Sequence, residues 1–224
     1  DLSYSFRLGT RPEKFMGDPK TWDRAEATLE MILKNSGKEY FVAEGEGAFY
    51  GPKIDVLMKD SLGRQWQTGT LQLDFQQPER FDLKYTDSDG QVKIPIAIHR
   101  VIYGSLERFI GILIEHYGGA FPIWLSPIQV QIIPIADRHQ KYGQKLLEEL
   151  KSSNIRAEID LRAEKMQAKI RGAQLQKIPY MIITGDREEQ ENKVAVRTRA
   201  GQDLGAIGMK EFLAKIKSDI ESKS

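Results

Sequence analysis

The chain of 224 residues contains no cysteine. This absence excludes disulfide bonds, thiol catalysis and thiolate metal sites within the chain, and it fits a reducing compartment. The sequence also lacks an apolar run of transmembrane length, because the longest one, around FIGILI, is followed by Glu115 and His116. The formal net charge is only +1, so any nucleic acid must be bound by local patches.

Composition and length indicate a globular protein of one large or two medium domains. Hydrophobic residues make up 40% of the chain and charged residues 29%, which is usual for such proteins. The N-terminal stretch lacks the apolar core of a signal peptide. It starts in alternating, strand-like sequence without an initiating Met, which predicts that the chain is part of a longer protein.

The first half of the chain has the pattern of short strands combined with two helices. Leu2 to Leu8 alternates as a strand does, and a helix is predicted from about Trp22, with Asp18 or Thr21 as its cap and Gly37 at its end. Further strands are predicted at 40–43, 53–59, 65–73, 82–85 and 93–99, before an apolar helix at about 105–117. Strands that follow one another without helices predict an antiparallel sheet.

The segment GGAFPIWLSP predicts a domain boundary near residue 124. Beyond it, predicted strands at 129–135, 156–160, 180–184 and 194–199 are combined with predicted helices at 141–151, 165–176 and 208–220. This alternation predicts an α/β domain with a mostly parallel mixed sheet. The expected organisation is therefore an α+β domain over residues 1–123 and an α/β domain over residues 124–224.

The glycine-rich string GEGAFYGPKID, from Gly45 to Asp55, is the first candidate ligand loop. Its glycines permit turns and close approach of a ligand to the backbone. Tyr50 offers a hydroxyl group, and Lys53 offers a positive charge suited to a carboxylate or phosphate. On chemistry alone, a strand connection with a solvated lysine explains the string equally well.

The string WQTGTLQLDF, from Trp66 to Phe75, predicts a strand with one polar face. Strict alternation places Thr68, Thr70 and Gln72 on one side and Gln67 on the other. A row of hydroxyl and amide groups suits a polar ligand. An outward, solvated face is the alternative, and the pattern by itself favours it.

The string IAIHRVIYGSLERF carries a lone His99 at the end of an apolar strand, then Gly104, Ser105 and Arg108 at the start of an apolar helix. No carboxylate lies three or four residues from Arg108 on that helix. An arginine buried in a helix face is costly unless it meets an anion or a stacking partner, such as a nucleotide. A structural histidine and a solvated arginine are the alternatives.

Basic residues mark the loops and strand ends of the second half. Lys165 and Lys169 fall along one side of a predicted helix, and Arg197 and Arg199 follow Glu188 in the next segment. Such cations, with a carboxylate to read base edges, could bind single-stranded RNA. A solvated charged surface is the alternative, and composition favours it.

Together these strings resemble one family along essentially the entire chain. GEGAFYGPKID, WQTGTLQLDF, IHR and GSLERF resemble the class II catalytic domain of threonyl-tRNA synthetases. The segment after residue 124 resembles the anticodon-binding domain shared by the threonyl, prolyl, glycyl and histidyl synthetases. The resemblance implies part of an antiparallel class II core, followed by an anticodon-binding domain.

The resemblance also implies roles for individual side chains. It implies catalytic roles for Lys53 and Arg108 and substrate contacts through five polar residues: Tyr50, Gln67, Thr70, Gln72 and Ser105. It further implies that the anticodon is contacted by Arg171, Glu188 and Arg197. Ala163 stands where some members have an asparagine that contacts RNA, and an alanine side chain cannot hydrogen-bond a base.

His99 matches one of the three zinc ligands of the family, and the other two, a cysteine and a histidine, are expected upstream of this chain. The implied cofactors are Zn²⁺ and Mg²⁺ with ATP. The implied partners are threonine, ATP, tRNA(Thr) and a second copy in a homodimer, with no membrane. The implied location is the cytoplasm, with an organellar matrix as the alternative.

The implied activity is ATP-dependent activation of threonine and its transfer to tRNA(Thr). A second hypothesis comes from another class of protein. The chain could be a non-catalytic RNA-binding or regulatory fragment of a synthetase, because the family's first signature motif and the ATP-binding arginine of its second motif are not in this sequence.

Overall fold

The computed structural model of the chain describes residues 3–223. These residues form two compact units, the first ending at His116 and the second beginning at Tyr117. The elements up to this division are β1 (Ser3–Gly9), α1 (Pro19–Ser36), β2 (Tyr40–Ala43), β3 (Lys53–Lys59), β4 (Gln65–Asp74), α2 (Gln76–Arg80), β5 (Tyr85–Thr86), β6 (Val92–Lys93), β7 (Ala97–Val101) and α3 (Leu106–Tyr117). Of the predicted first strand, Leu2 lies outside the described residues.

The first unit is built on a five-stranded sheet in the order β2-β1-β3-β4-β7. Only the β1–β2 pair is parallel, and the other neighbours are antiparallel. The predicted α+β class is therefore confirmed. The expectation that the segments at 82–85 and 93–99 continue this sheet is wrong in part, because β5 and β6 pair only with each other across the DSDG turn.

Helix α1 covers one face of this sheet. The Asp18 carboxylate accepts a hydrogen bond from the Thr21 backbone N–H at 3.1 Å, and Gly37 ends the helix with a φ of 63°, so the predicted cap and stop are confirmed. Leu29 and Leu33 of the helix pack against Leu8 and Ile54 of the strands. The four side chains form the apolar core of the unit, and the opposite face of the sheet is left for polar groups.

The second unit has the elements β8 (Val130–Pro134), α4 (Gln140–Ser152), β9 (Ala157–Ile159), α5 (Met166–Leu175), β10 (Tyr180–Thr184), α6 (Asp186–Glu191), β11 (Lys193–Thr198), β12 (Asp203–Gly208) and α7 (Met209–Glu221). Its sheet has the order β12-β11-β10-β8-β9. The β9–β8–β10 half is parallel and the β10–β11–β12 half is antiparallel. The predicted α/β class is confirmed, but parallel pairs are not the majority, because β12 forms a hairpin with β11.

The segment after α3 packs within the second unit. Ile123 is buried in its core beside Val130 and Leu150. The Arg199 side chain donates to the Phe121 carbonyl at 2.5 Å. The domain boundary that the sequence predicts near residue 124 therefore lies inside a segment that belongs to the second unit. The two compact units divide earlier, between His116 and Tyr117.

Asp60 closes the turn between β3 and β4. Its carboxylate accepts hydrogen bonds from the backbone N–H groups of Leu62 and Arg64, from the Arg64 guanidinium and from the Trp66 indole. Burial acts to raise the pKa of Asp60, but the bonds from Trp66 and Arg64 outweigh it and lower this pKa to about 2. The charged carboxylate therefore stabilises the folded unit.

Asp60→Asn should lower the thermal stability of the chain at neutral pH. The folded pKa lies below the ordinary value of 3.8, so the contribution is fully present above that value and is lost as the pH falls towards 2. The Tm difference between wild type and variant should be constant from pH 6 to pH 8 and shrink below about pH 4. A difference that stays the same down to pH 2 would show that the charge of Asp60 contributes nothing.

Gly51→Ala should unfold or strongly destabilise the first unit. A Cβ atom at residue 51 would lie 1.9 Å from the Leu73 carbonyl oxygen on the adjacent β4, a clash that costs about 3 kcal/mol or more. The matched control is Gly111→Ala in α3, where an added Cβ meets no atom within 4 Å and helix propensity should add about 1 kcal/mol. Urea unfolding followed by tryptophan fluorescence measures both, and equal effects would contradict the argument.

Candidate functional site

The polar face of the first sheet carries most of the predicted substrate contacts. Lys53 of β3 lies directly across from Gln72 of β4, which in turn lies across from His99 of β7. Directly paired residues in antiparallel strands project to the same side, so these three side chains form one row across the sheet. The Thr70 side chain, paired with Asp55, belongs to the next row.

A β-bulge brings Gln67 to the same face. Asp55 pairs with Thr70, whereas Leu57 pairs with Gln67, so β4 has one more residue than β3 between these pairs. The expected separation of Gln67 from Thr70 on opposite faces is therefore wrong, because the extra residue reverses the alternation. The Gln67 amide donates to Asp55 Oδ1 at 2.7 Å.

Tyr50 and His99 line a cavity of about 360 Å³, and Gln72 is hydrogen-bonded to Tyr50. The Tyr50 hydroxyl donates to Gln72 Oε1 at 2.5 Å, and the Tyr50 ring lies 6.2 Å from the His99 ring in an edge-to-face arrangement. Burial raises the pKa of Tyr50, and the nearby Asp74 charge raises it further. Tyr50 therefore stays a neutral donor. The residues that line the cavity are Phe49, Tyr50, Asp74, Gln76, Gln77, Arg80 and His99.

Asp74 holds His99 in this cavity. Its Oδ2 lies 2.9 Å from His99 Nε2, and its Oδ1 accepts the backbone N–H groups of Gln76 and Gln77 at the start of α2. Burial acts to raise the pKa of Asp74, but the Gln77 and His99 hydrogen bonds outweigh it and lower this pKa. The ring nitrogen Nδ1 of His99 is then the one available to a ligand.

His99 is the candidate metal ligand in this cavity. Within residues 3–223, no group of three or more histidine, aspartate or glutamate side chains is arranged to hold a metal ion. A histidine oriented by a carboxylate is nevertheless the usual arrangement next to a zinc ion. The residues present therefore fit one ligand of a zinc site and require further ligands from elsewhere.

Ser105 and Arg108 lie where β7 leads into α3. Gly104 has a φ of 66°, and a Cβ there would lie 2.6 Å from the Thr68 carbonyl and 3.3 Å from Arg108 Nη2. The close approach brings the Arg108 guanidinium to the polar strand β4. The Ser105 hydroxyl donates to Glu107 at 2.7 Å and accepts the Arg108 N–H at 3.4 Å, so Ser105 also caps the helix.

The expectation that Arg108 is buried in its helix face is wrong. Arg108 is exposed, and α3 buries only Ile112 among the residues that the structure describes. Apolar side chains of the helix, including Leu106 and Ile110, are about half exposed. Arg108 has no ion pair within residues 3–223, so its charge is available to an anionic ligand.

Three site residues were missed in the sequence: Arg7, Asp55 and the Asp74 that holds His99. Arg7 and Asp55 face each other on β1 and β3 and pair as ions at 2.7 Å. Asp55 is also 3.1 Å from Lys53 Nζ. The available signal was the Asp55 carboxylate within the apolar run KIDVLMK. A carboxylate that is buried in such a strand needs a cation or hydrogen-bond donors as partners.

The predicted RNA contacts occupy different elements of the second unit. Arg197 lies across from Met181 and two residues from Ala195, both of which face α5, and it is 3.4 Å from Asp203. Glu188 lies in the first turn of α6 and accepts the Gly185 N–H at 2.9 Å. Arg171 on α5 is exposed. No hydrogen bond joins these three side chains within residues 3–223.

Lys169 does not lie on the exposed basic side expected from the helical spacing. It is 6% exposed and donates to the carbonyl oxygens of Asp160 at 3.1 Å and Pro134 at 3.4 Å. These carbonyls follow β9 and end β8, so the ammonium joins the carboxyl ends of two parallel strands. Lys165, which is exposed, and Ala163 line a cavity of about 420 Å³ at this edge.

Comparison with protein-family models matches both units. Residues 14–117 match the tRNA synthetase class II core domain (G, H, P, S and T). Residues 129–219 match the anticodon binding domain. In addition, no helix in residues 3–223 is both long and apolar enough to cross a lipid bilayer.

Comparison with curated proteins gives relatives named threonine–tRNA ligase. The chain is 54% identical over 223 residues to that of Desulforamulus reducens and 57% identical over 223 residues to that of Clostridium botulinum, and the match covers 100% of this chain and 35% of each relative. The chain thus spans about a third of the length of these relatives.

Among solved structures, the RNA binding domain of threonyl-tRNA synthetase from Cryptosporidium parvum superposes with a TM-score of 0.87 at 36% identity. The match covers 97% of this chain and 55% of that one. The motifs, the fold of both units and these comparisons agree. The chain belongs to the threonyl-tRNA synthetase family, of which it carries a segment of the class II core followed by the anticodon-binding domain.

Proposed function

We propose that the complete protein is a threonine–tRNA ligase and that this chain supplies part of its active site and its anticodon-reading domain. The observation that carries the proposal is the polar sheet face. There Lys53, Gln67, Thr70 and Gln72 lie together, next to the Tyr50–His99 cavity. The Thr70 hydroxyl oxygen is buried without a hydrogen-bond partner among residues 3–223, as expected of a group that bonds a polar ligand.

The proposed reaction has two steps. The threonine carboxylate attacks the α-phosphorus of ATP, and pyrophosphate leaves. A terminal ribose hydroxyl of tRNA(Thr) then attacks the carbonyl carbon of the adenylate, and AMP leaves. Both steps depend on positioning and on stabilisation of negative charge. Mg²⁺ accompanies ATP in this proposal and partly neutralises its phosphates.

Each side chain has a role that its chemistry permits. The Lys53 ammonium is only 15% exposed and would stabilise the carboxylate or the α-phosphate. Tyr50 and Gln72 would hold threonine as a hydrogen-bonded pair, and Gln67 would contact the adenylate together with Thr70. Arg108 would bind ATP through its unpaired guanidinium, and Ser105 would hold the start of its helix beside the ligand.

We propose that His99 is one ligand of a zinc ion completed by residues outside this chain. Bound zinc would hold the amino group and side-chain hydroxyl of threonine. Asp74 orients the histidine, and the Tyr50 ring limits the cavity beside it. A site that requires a hydroxyl rejects valine, because its polar partner would be left unsatisfied.

For the second unit we propose binding of the tRNA(Thr) anticodon through Arg171, Glu188 and Arg197. The support is the family match over residues 129–219 and the position of Arg197 on the α5-facing side of the sheet. Ala163 supplies no hydrogen bond, so base contacts must come from neighbouring groups. We further propose a homodimer for the complete protein and a cytoplasmic location.

His99→Ala in the complete protein should remove stoichiometric zinc and reduce the preference for threonine over valine by about 10⁴-fold, the scale on which a hydroxyl-binding site rejects an analogue without the hydroxyl. The measurements are metal analysis and amino-acid-dependent ATP–pyrophosphate exchange. His116→Ala is the matched histidine control and should leave zinc content unchanged. If His99→Ala retains its zinc, His99 is not a ligand.

Arg197→Ala in the 224-residue chain should reduce discrimination between tRNA(Thr) and the same tRNA with a replaced anticodon. The expected loss is about 1–3 kcal/mol, the value of a bidentate base contact. Binding curves at one salt concentration measure it, with Lys210→Ala as the control. Lys210 is an exposed cation on α7, which packs on the opposite face of the sheet from Arg197.

Two other outcomes would change the assignment of Arg197. Equal loss of affinity for both RNAs, with a reduced salt dependence, would make it a phosphate contact. Unchanged binding of both RNAs would remove it from the interface.

A further inference from the structure

Asp55 is a carboxylate buried within the sheet at the candidate site. It is 0% exposed, and four donor groups surround it. Oδ2 accepts from Arg7 Nε at 3.1 Å and Arg7 Nη2 at 2.7 Å and lies 3.1 Å from Lys53 Nζ. Oδ1 accepts from Gln67 Nε2 at 2.7 Å. Both oxygens are therefore used by side chains of three different strands.

The charges around Asp55 are not balanced. Arg7 and Lys53 bring two positive charges to one carboxylate, and their side chains are only 21% and 15% exposed. A buried ion without a complete set of partners is costly. The excess positive charge would be neutralised by an anion on the polar face, next to the unpartnered Thr70 hydroxyl. The threonine carboxylate before the first step, or the phosphate group of the adenylate after it, has the required charge.

Asp55 also fixes the orientation of the Gln67 amide. Gln67 Nε2 donates to Asp55, and Gln67 Oε1 accepts from Arg7 Nη2 at 3.2 Å. Exchange of the amide oxygen and nitrogen would place the oxygen against the Asp55 carboxylate and the NH₂ group against the Arg7 cation. The amide is thus held in one orientation, with its second N–H available to a ligand.

We propose that Asp55 is a positioning residue of the synthetase reaction, a role that rests on the proposed function. It holds the Lys53 ammonium and the Gln67 amide so that both meet the carboxylate and α-phosphate of the forming adenylate, and Arg7 completes the support. Asp55 itself stays behind these groups and touches no reacting atom. Its effect on the reaction is therefore transmitted through Lys53 and Gln67.

The kinetic test uses threonine-dependent ATP–pyrophosphate exchange by the complete protein. Asp55→Asn should lower kcat on the order of 30-fold, with a smaller change in the KM for ATP, because misplaced groups act mainly on the transition state. Asp55→Glu, which keeps the charge, should recover most of the rate. In a Lys53→Met background the effect of Asp55→Asn should shrink to about threefold or less, since coupled residues are not additive.

The matched control is Asp60→Asn, which also removes an ion-paired carboxylate, here from the turn that joins β3 and β4 of the same sheet. It should lower thermal stability but leave kcat within about twofold, since Asp60 contacts no proposed site residue. If Asp60→Asn slows exchange as much as Asp55→Asn does, the effect is structural and the proposal is overturned. A full 30-fold effect that persists without Lys53 would exclude positioning through Lys53.

A second measurement on the 224-residue chain separates this proposal from the proposed function. Release of the ammonium in Asp55→Asn should increase modification of Lys53 by an amine-directed reagent several-fold over wild type, as read by mass spectrometry, and Asp60→Asn should not. Unchanged Lys53 modification would overturn the positioning role whatever reaction the complete protein catalyses. Absence of exchange in the wild-type complete protein, with the modification result as expected, would overturn only the synthetase function.

Discussion

The structure of the first unit depends on a sheet whose two faces have opposite requirements for solvation. Leu8 and Ile54 face α1 and are shielded from water. Their chain neighbours Arg7 and Asp55 face the other side of the sheet and need charged partners. Because strand residues alternate, both requirements are imposed on the same short strands. The polar face is stable only where its charges compensate one another and a polar ligand supplies the remaining counter-charge and hydrogen bonds.

Charge compensation on this face is specific because its ion pairs and hydrogen bonds join side chains of different strands. The Asp55 carboxylate ties β1, β3 and β4 together through side chains, in addition to the backbone ladder. Asp74 does the same for β7, since it holds His99 while it also caps α2. The side chains with proposed contacts to substrate are thus supported by carboxylates placed behind them, which is the arrangement required to fix catalytic groups in position.

In the second unit, a buried charged side chain lies at the ends of strands. Its parallel strands bring Pro134 and the residue after Ile159 to one edge, where the Lys169 ammonium joins their carbonyl groups. Its antiparallel strands leave Arg197 on the side of the sheet next to α5. The two halves of one sheet therefore place one cation at a strand edge and another on the side that faces α5.

Many individual features could be predicted from the sequence because they are local. The Asp18 cap, the Gly37 stop and the bounds of β2 and β3 follow from side-chain chemistry and periodicity within a few residues. The likeness of GEGAFYGPKID and GSLERF to a family also singled out Tyr50 and Arg108 as proposed ligand contacts. The short hairpin strand β12 was missed, since Gly205 in its middle and Gly208 at its end have low strand propensity.

Other features depend on contacts between distant residues and were decided only by the tertiary structure. The bulge in β4 reverses the face of Gln67, and its presence is visible only in the pairing with β3. Likewise, burial of Lys169 arises from carbonyl oxygens supplied by two separate strand ends. The sequence by itself determined most of the longer strands and helices, because those preferences are local, whereas the short elements α2, α6 and β12 were not predicted. Which polar side chains share a face, and which charge each one must neutralise, was decided by the tertiary structure, because strand pairing is a long-range property.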